Sequence, residues 1–237
     1  MGQNVLITGT GREMALGFNL VRRYLMAGDR VFASARKESA ALNALKNEYP
    51  ETLTIIIMDI GDTQSVREGI SQVAAAVDHL DLLINNAVTT APDCGENVLK
   101  ADPDAMAPAF NVGAVGPLRV IQACYPLLQK SEAALIVNIS SEAGSIGACY
   151  RTNLTDYAMT KASVNMMTKT IANAIRDEKN VNIICIHPGW MRTNEGNAEA
   201  PLEPFPHAET LRLLFEERRK DKDGDLFITW EGKPYPW

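Results

Sequence analysis

Residues 4–17, Asn-Val-Leu-Ile-Thr-Gly-Thr-Gly-Arg-Glu-Met-Ala-Leu-Gly, begin as a short apolar run and close on Gly9 and Gly11. A helical pattern follows through Leu16, Leu20, Val21 and Leu25 and stops at Gly28. The order is strand, tight turn, helix. A helix starting directly behind such a turn presents free backbone N–H groups and the positive end of its dipole to the turn, which suits a pyrophosphate. A glycine-containing turn with no ligand reads the same way in isolation, so the weight falls on the residues further along.

The same alternation repeats downstream. Arg30–Ser34 reads as a second strand, 38–49 as a helix closed by Pro50, and Leu53–Asp59 as a third strand rich in isoleucine. Asp62 opens a helix with Val66, Ile70, Val73 and Val77 as its apolar positions. A fourth strand over Leu80–Asn85 and a fifth over Ala133–Ile139 flank a helical region from Pro103 to Gln129, which Pro117 and Pro126 should kink or interrupt. A helix over Thr155–Asp177, a sixth strand over Val181–His187, a polar stretch over 189–206, a helix near Ala208–Arg219 and a short strand over Leu226–Thr229 complete the chain. Strands without strict alternation, separated by amphipathic helices, imply a parallel sheet covered on both faces. The expected fold is α/β: one doubly wound Rossmann fold over residues 1–237, its mostly parallel sheet of seven strands carrying helices on both faces, with 189–206 as a substrate loop.

Composition narrows the function classes. With 237 residues, 46% hydrophobic and 22% charged, the chain is an ordinary globular one of a size that a single α/β fold commonly fills. Twenty-nine acidic against 23 basic residues give a net charge of -6, which disfavours nucleic acid as a partner. The cysteines at 94, 124, 149 and 185 form no Cys-x-x-Cys pair, and no secretory signal is visible, which points to free thiols in a reduced, cytoplasmic setting. No apolar run approaches the length of a membrane span. The three histidines have no ligand-like spacing, so a metal site is not expected.

Loops at the carboxyl ends of parallel strands converge, so the residues just behind each strand carry the chemistry. Asn85-Asn86-Ala87 follows the fourth strand, Asn111 sits in the long helical region, and Ser140-Ser141 follows the fifth strand. Tyr157 and Lys161, four apart, share one face of the next helix. With Thr8-Gly9, Asp59-Ile60, Asn111-Val112, Val137-Asn-Ile-Ser-Ser141 and Pro188-Gly189, these pieces resemble the short-chain dehydrogenase/reductase family along essentially the whole chain. His187-Pro-Gly-Trp-Met-Arg-Thr193, the segment around Pro117 and the closing Gly232-Lys-Pro-Tyr-Pro-Trp237 look most like its C-factor and sniffer-like carbonyl reductase group.

That resemblance implies an oxidoreductase moving a hydride between a nicotinamide cofactor and a small carbonyl or alcohol. A carbonyl that receives hydride becomes an alkoxide and needs a proton donor and hydrogen bonds aimed at its oxygen. Tyr157 would exchange the proton, and Lys161 would lower its pKa and bind the nicotinamide ribose. Ser141 would bond the substrate oxygen, and Asn111 would hold a water linking Lys161 to a proton relay. Asp59 would bond the adenine amino group, with Ile60 beside it, and Asn86 and Ala87 would border the adenine ribose. Gly9, Gly11, Arg12 and Met14 would line the pyrophosphate turn, while Pro188, Gly189, Met191 and Thr193 would meet the nicotinamide carboxamide. Where an acidic residue would hold a ribose 2′-hydroxyl stands Ser34-Ala35-Arg36-Lys37, so Arg36, helped by Arg12, favours NADP(H) over NAD(H). A homodimer or homotetramer follows from the family alone.

The chain departs from the family pattern at the cofactor. Glu13 and Ala15 stand where the turn usually has glycines, and Val88 closes Asn-Asn-Ala in place of glycine. Glu13 brings a carboxylate to a pyrophosphate site, and it has to turn outward, toward Arg12, for the enzyme reading to hold. The competing reading is a binding or signalling module with the same fold and weak or no turnover.

Overall fold

The computed structural model describes residues 2–193 and 197–237. Residues 194–196 of the expected substrate loop lie outside them.

Seven strands, β1 (Asn4–Thr8), β2 (Arg30–Ala35), β3 (Leu53–Ile57), β4 (Leu82–Asn85), β5 (Ala134–Ile139), β6 (Val181–His187) and β7 (Phe227–Thr229), form one sheet. Their spatial order is β3-β2-β1-β4-β5-β6-β7, and every pairing is parallel. The chain winds outward from β1 in one direction and then, from β4, in the other, so the carboxyl ends of β1 and β4 border the crevice where a ligand sits.

Why the strands read as continuous apolar runs follows from their burial on both faces. Val5 and Ile7 of β1 point to one layer and Leu6 to the other, and all three are fully buried. On the first face pack α1 (Leu16–Met26), α2 (Ala40–Glu48) and α7 (Pro204–Arg218), through Leu20, Leu42 and Phe215 among others. On the second pack α3 (Thr63–Ala76), α5 (Gly116–Leu128) and α6 (Thr155–Ala174), through Val66, Ile121 and Ile171. Asp62 caps α3 as expected, accepting from Ser65 N–H at 2.7 Å; Ser39, which the sequence reading placed inside its helix, caps α2 by accepting from Leu42 N–H at 3.3 Å.

The long helical region is where the structure departs most from the sequence reading. It splits into a 3-10 turn (Pro103–Met106), a short helix α4 (Ala107–Phe110), a π-turn (Asn111–Val115) and α5. Pro117 does not kink α5; it occupies its first turn, where a missing N–H costs nothing. The ladder is instead shifted one residue earlier, with Gly116 N–H reaching back five residues to the Asn111 carbonyl. Gly113 lets this π-turn lie against α6, since a Cβ there would stand 2.5 Å from Thr160 Cγ2. Pro126 is absorbed in the last turn of α5, which runs two residues beyond it. The final helix starts earlier than expected, at Pro204, because Pro204 and Pro206 pre-set its first turn.

The aromatic side chain of Phe32 is fully buried on the second face. Phe32→Ala should lower stability by about 3–5 kcal/mol, read as a shift of the urea midpoint at unchanged slope.

Candidate active site

A single cleft of about 1380 Å³ runs along the carboxyl ends of the strands. It is lined by Gly9, Gly11 and Arg12 at one end and by Ser141, Tyr157 and Lys161 toward the other. Arg36, Asp59, Ile60, Asn86, Ala87, Pro188, Gly189, Met191 and Thr193 also line it. Two of the expected residues do not. Met14 is 61% exposed and lies outside the lining, and Asn111 is replaced there by its neighbour Val112.

The turn behind β1 is built for close approach. Gly9 has φ of +73°, and a Cβ on it would stand 2.6 Å from Ala87 Cα. Thr8 locks this junction by accepting from the N–H groups of Asn86 and Ala87, and Asn86 Nδ2 returns bonds to the Thr8 and Gly9 carbonyls. Ala15 stands at the N-cap of α1 and offers no side-chain cap, which leaves the first N–H groups of the helix open to a phosphate. Glu13 is exposed and outside the lining, and no ion pair joins it to Arg12 among the described residues. Past β2, Arg36, Lys37 and Glu38 line the cleft and are exposed.

The Tyr157 end is held by buried polar bonds. Ser140 Oγ donates to Asn165 Oδ1 at 2.6 Å, and Asn165 Nδ2 to the Gly144 carbonyl at 3.1 Å. Ser140 is therefore committed to α6, and its neighbour Ser141 faces the cleft. Asp156 Oδ2 accepts from Ala91 N–H at 2.6 Å, tying the loop after β4 to the first turn of α6. Leu154 enters that helix in the left-handed region, at φ of +55°, a strained conformation for a branched side chain.

Lys161 Nζ lies 5.4 Å from the Tyr157 ring centre and donates to the Ile139 carbonyl at 2.6 Å. Burial brings its pKa down to about 8. Burial also raises the Tyr157 hydroxyl; the Ser141 hydrogen bond lowers it, the Glu142 carboxylate raises it and Arg151 lowers it, with a net upward shift. This differs from the expectation that Lys161 pulls Tyr157 down. One of the three ammonium N–H groups goes to the Ile139 carbonyl, and Lys161 is not among the influences on the phenol.

Four residues that the sequence reading left aside shape this site. Glu142 Oε2 accepts from Ser141 Oγ at 2.5 Å, and Oε1 pairs with Arg151. Burial alone would raise the Glu142 carboxyl, but the bonds from Ser141 and Arg151 and the charges of Arg151 and His187 hold it below the usual range. Glu142 N–H donates to His187 Nδ1 at 3.2 Å, and burial lowers that imidazole's pKa. Arg119 clamps Asn111: Nη2 donates to Oδ1 at 2.8 Å and Nη1 to the main-chain oxygen at 3.3 Å, while Asn111 Nδ2 donates to the Gly61 carbonyl at 2.9 Å. A charge immediately behind the serine pair was the available signal for Glu142. Arg119, eight residues from Asn111 across a π-turn, left none.

The family model described as short chain dehydrogenase matches residues 3–201. The chain belongs to the short-chain dehydrogenase family. An uncharacterized oxidoreductase of Schizosaccharomyces pombe is 29% identical over 96% of each chain. The C-signal protein of Myxococcus xanthus is 30% identical over 67% of this chain and 93% of its own. Among solved structures, an NADPH-bound carbonyl reductase from chicken fatty liver superposes on this short-chain dehydrogenase with a TM-score of 0.87, at 25% identity over 100% of this chain and 99% of the other. The likeness to the C-factor and carbonyl reductase group noted in the sequence is thus found again, over two thirds of this chain for C-signal and over all of it for the carbonyl reductase.

Buried Lys161 sets a sign for stability. Between about 8 and the ordinary 10.5, the unfolded chain keeps a proton that the folded chain releases. Stability therefore rises with pH through that window, and the penalty is fully present below it. Lys161→Met should be more stable than the parent at pH 7 by on the order of 2 kcal/mol. The gap should narrow as pH is raised toward 10, measured by urea denaturation at each pH.

Proposed function

We propose that this short-chain dehydrogenase is an NADP(H)-dependent oxidoreductase acting on a small carbonyl or alcohol, with Tyr157 as general acid and base. The observation that carries the reading is the single cleft joining Tyr157, Lys161 and Ser141 to the glycine turn and to Arg36 and Lys37. The turn fits a dinucleotide because Gly9 has no room for a side chain and α1 begins without a cap. The bound nicotinamide would supply or accept the hydride.

Gly9, Gly11 and Arg12 would hold the pyrophosphate, Asp59 and Ile60 the adenine, and Asn86 and Ala87 its ribose. Pro188, Gly189, Met191 and Thr193 would border the nicotinamide, with Lys161 on its ribose. Arg36 and Lys37 would neutralise a 2′-phosphate, and the NADPH held by the chicken carbonyl reductase supports that choice over NAD(H). In the reductive direction Tyr157 would donate its proton to the substrate oxygen while Ser141 shares the developing charge. Burial raises the Tyr157 hydroxyl, so it holds its proton at neutral pH. Asn111 would act by shape, pinning the π-turn beside Gly61. The same reading carries a cytoplasmic protein working as a homodimer or homotetramer.

Fluorescence titration should show NADPH binding more tightly than NADH, and Arg36→Ala should erode that ratio about tenfold. Tyr157→Phe should leave NADPH affinity within twofold and remove carbonyl reduction by at least 100-fold. Failure to bind either nucleotide would overturn the proposal. Glu13→Gly should leave NADPH affinity unchanged, because this carboxylate faces solvent; a marked gain would show that it reaches the pyrophosphate.

A further inference from the structure

On the oxidoreductase reading given above, we infer that the substrate is a neutral hydroxycarbonyl compound, with a hydroxyl on the carbon beside its carbonyl. Glu142, by taking the Ser141 proton, is the positioning residue that selects for that hydroxyl.

A serine hydroxyl has one proton and two lone pairs. Ser141 gives the proton to Glu142 Oε2 at 2.5 Å, and one lone pair accepts from Ala143 N–H at 3.1 Å. Charge fixes the direction of the first bond. An ionised carboxylate only accepts, and the bonds from Ser141 and Arg151, with the charges of Arg151 and His187, hold the Glu142 carboxyl below its usual range. What Ser141 keeps for the cleft it lines is its second lone pair. A ketone or aldehyde oxygen has no proton to give. To share the charge on such an oxygen, Ser141 must give up a short, charge-assisted bond. A substrate hydroxyl donates to the open lone pair instead and leaves that bond in place.

The same wall serves the oxygen of that hydroxyl. Arg151 lines the cleft and, among the described residues, spends one of its five N–H groups on Glu142 Oε1. Two hydrogen bonds and the width of one carboxylate separate its guanidinium from Ser141 Oγ, which bounds the gap at about 7 Å. A hydroxyl lodged between them donates to one and accepts from the other. A second carbonyl could only accept there, and an alkyl group could do neither. Arg151 is already matched by Glu142, so this wall holds no spare cation for a substrate carboxylate. The reaction itself is unchanged: the carbonyl carbon gains the hydride, its oxygen takes the Tyr157 proton, and Ser141 and Glu142 exchange none. Tyr150 and Trp190 line the same cleft with exposed rings, which suits aromatic probes.

The test uses the full-length protein with NADPH and two probes, α-hydroxyacetophenone and its methyl ether, α-methoxyacetophenone. The ether withdraws electrons from the carbonyl much as the alcohol does and accepts hydrogen bonds, but it has no proton for Ser141. The parent should reduce the hydroxyketone with kcat/KM at least tenfold above the ether. In Glu142→Gln the amide oxygen keeps Arg151, the amide N–H donates to Ser141, and the Ser141 proton turns to the cleft. The hydroxyketone should then lose and the ether gain, which brings their ratio within threefold of one. A merely structural defect would lower both rates and leave the ratio in place. Ser141→Ala removes the lone pair and should level the ratio in the same way, with NADPH affinity within threefold of the parent as the check on folding. A parent that binds NADPH yet reduces the hydroxyketone no faster than the ether would overturn this inference alone. So would a tenfold preference that survives in Glu142→Gln or in Ser141→Ala. A parent that binds no nucleotide would remove the oxidoreductase reading and this inference together.

Discussion

The site depends on a ladder of buried amides and hydroxyls that bolts the carboxyl end of β5 to α6. Asn85 Nδ2 donates to Asn138 Oδ1 at 2.9 Å, Asn138 Nδ2 to Thr168 Oγ1 at 2.9 Å, and Thr168 Oγ1 to the Val164 carbonyl at 2.8 Å. One step further out, Ser140, Asn165 and the Gly144 carbonyl repeat the arrangement. Each of these groups would cost about 1–3 kcal/mol if left unpaired in the interior. Sliding α6 by even one residue along the sheet would break several at once. Hydrophobic packing on this face tolerates small shifts; the ladder does not, and it is the ladder that sets where Tyr157 and Lys161 stand relative to Ser141.

A second constraint comes from the doubly wound topology. Because the chain reverses direction between β1 and β4, the loops behind them separate and leave the cleft between the glycine turn and the Asn86 loop. Thr8 and Asn86 close the floor of that cleft with four hydrogen bonds, and Gly9 lets the two loops touch. Substitution of Ala15 for the family's glycine is absorbed here, since Ala15 is buried beneath the turn and its lack of a capping oxygen leaves the helix end free. Glu13 is absorbed differently, by facing solvent.

Much of this was legible in the sequence because period and punctuation agree with burial. All seven strands lie within a few residues of where their apolar runs place them, and the Asp62 cap marks a helix start with a mechanism. Tyr157 and Lys161 stood out by their spacing of four on an expected helix, whereas Ser141 was singled out from Ser140 only through the family resemblance. The stretch over 103–129 read poorly for a definite reason. A proline inside an apolar pattern says that a hydrogen bond is missing, not where the backbone will take up the slack, and here it does so in the π-turn ahead of Pro117. Met14 lies outside the cleft lining, because which residue of a turn faces a cleft depends on dihedral angles that composition does not encode.

Electrostatics at the inner end were the least legible, since they arise from groups distant in sequence. Glu142, Arg151, His187 and Tyr235 come from four separate segments and meet only when β5, β6 and the end of the chain are assembled. Their meeting changes how the acidic balance of the chain should be understood. An isolated carboxylate near the half-buried Tyr157 phenol would repel any negative oxygen formed there, but Arg151 and His187 favour and offset the Glu142 charge. Ser141 gives its hydroxyl proton to that carboxylate and accepts from the Ala143 N–H, so the serine facing the cleft is oriented from its wall.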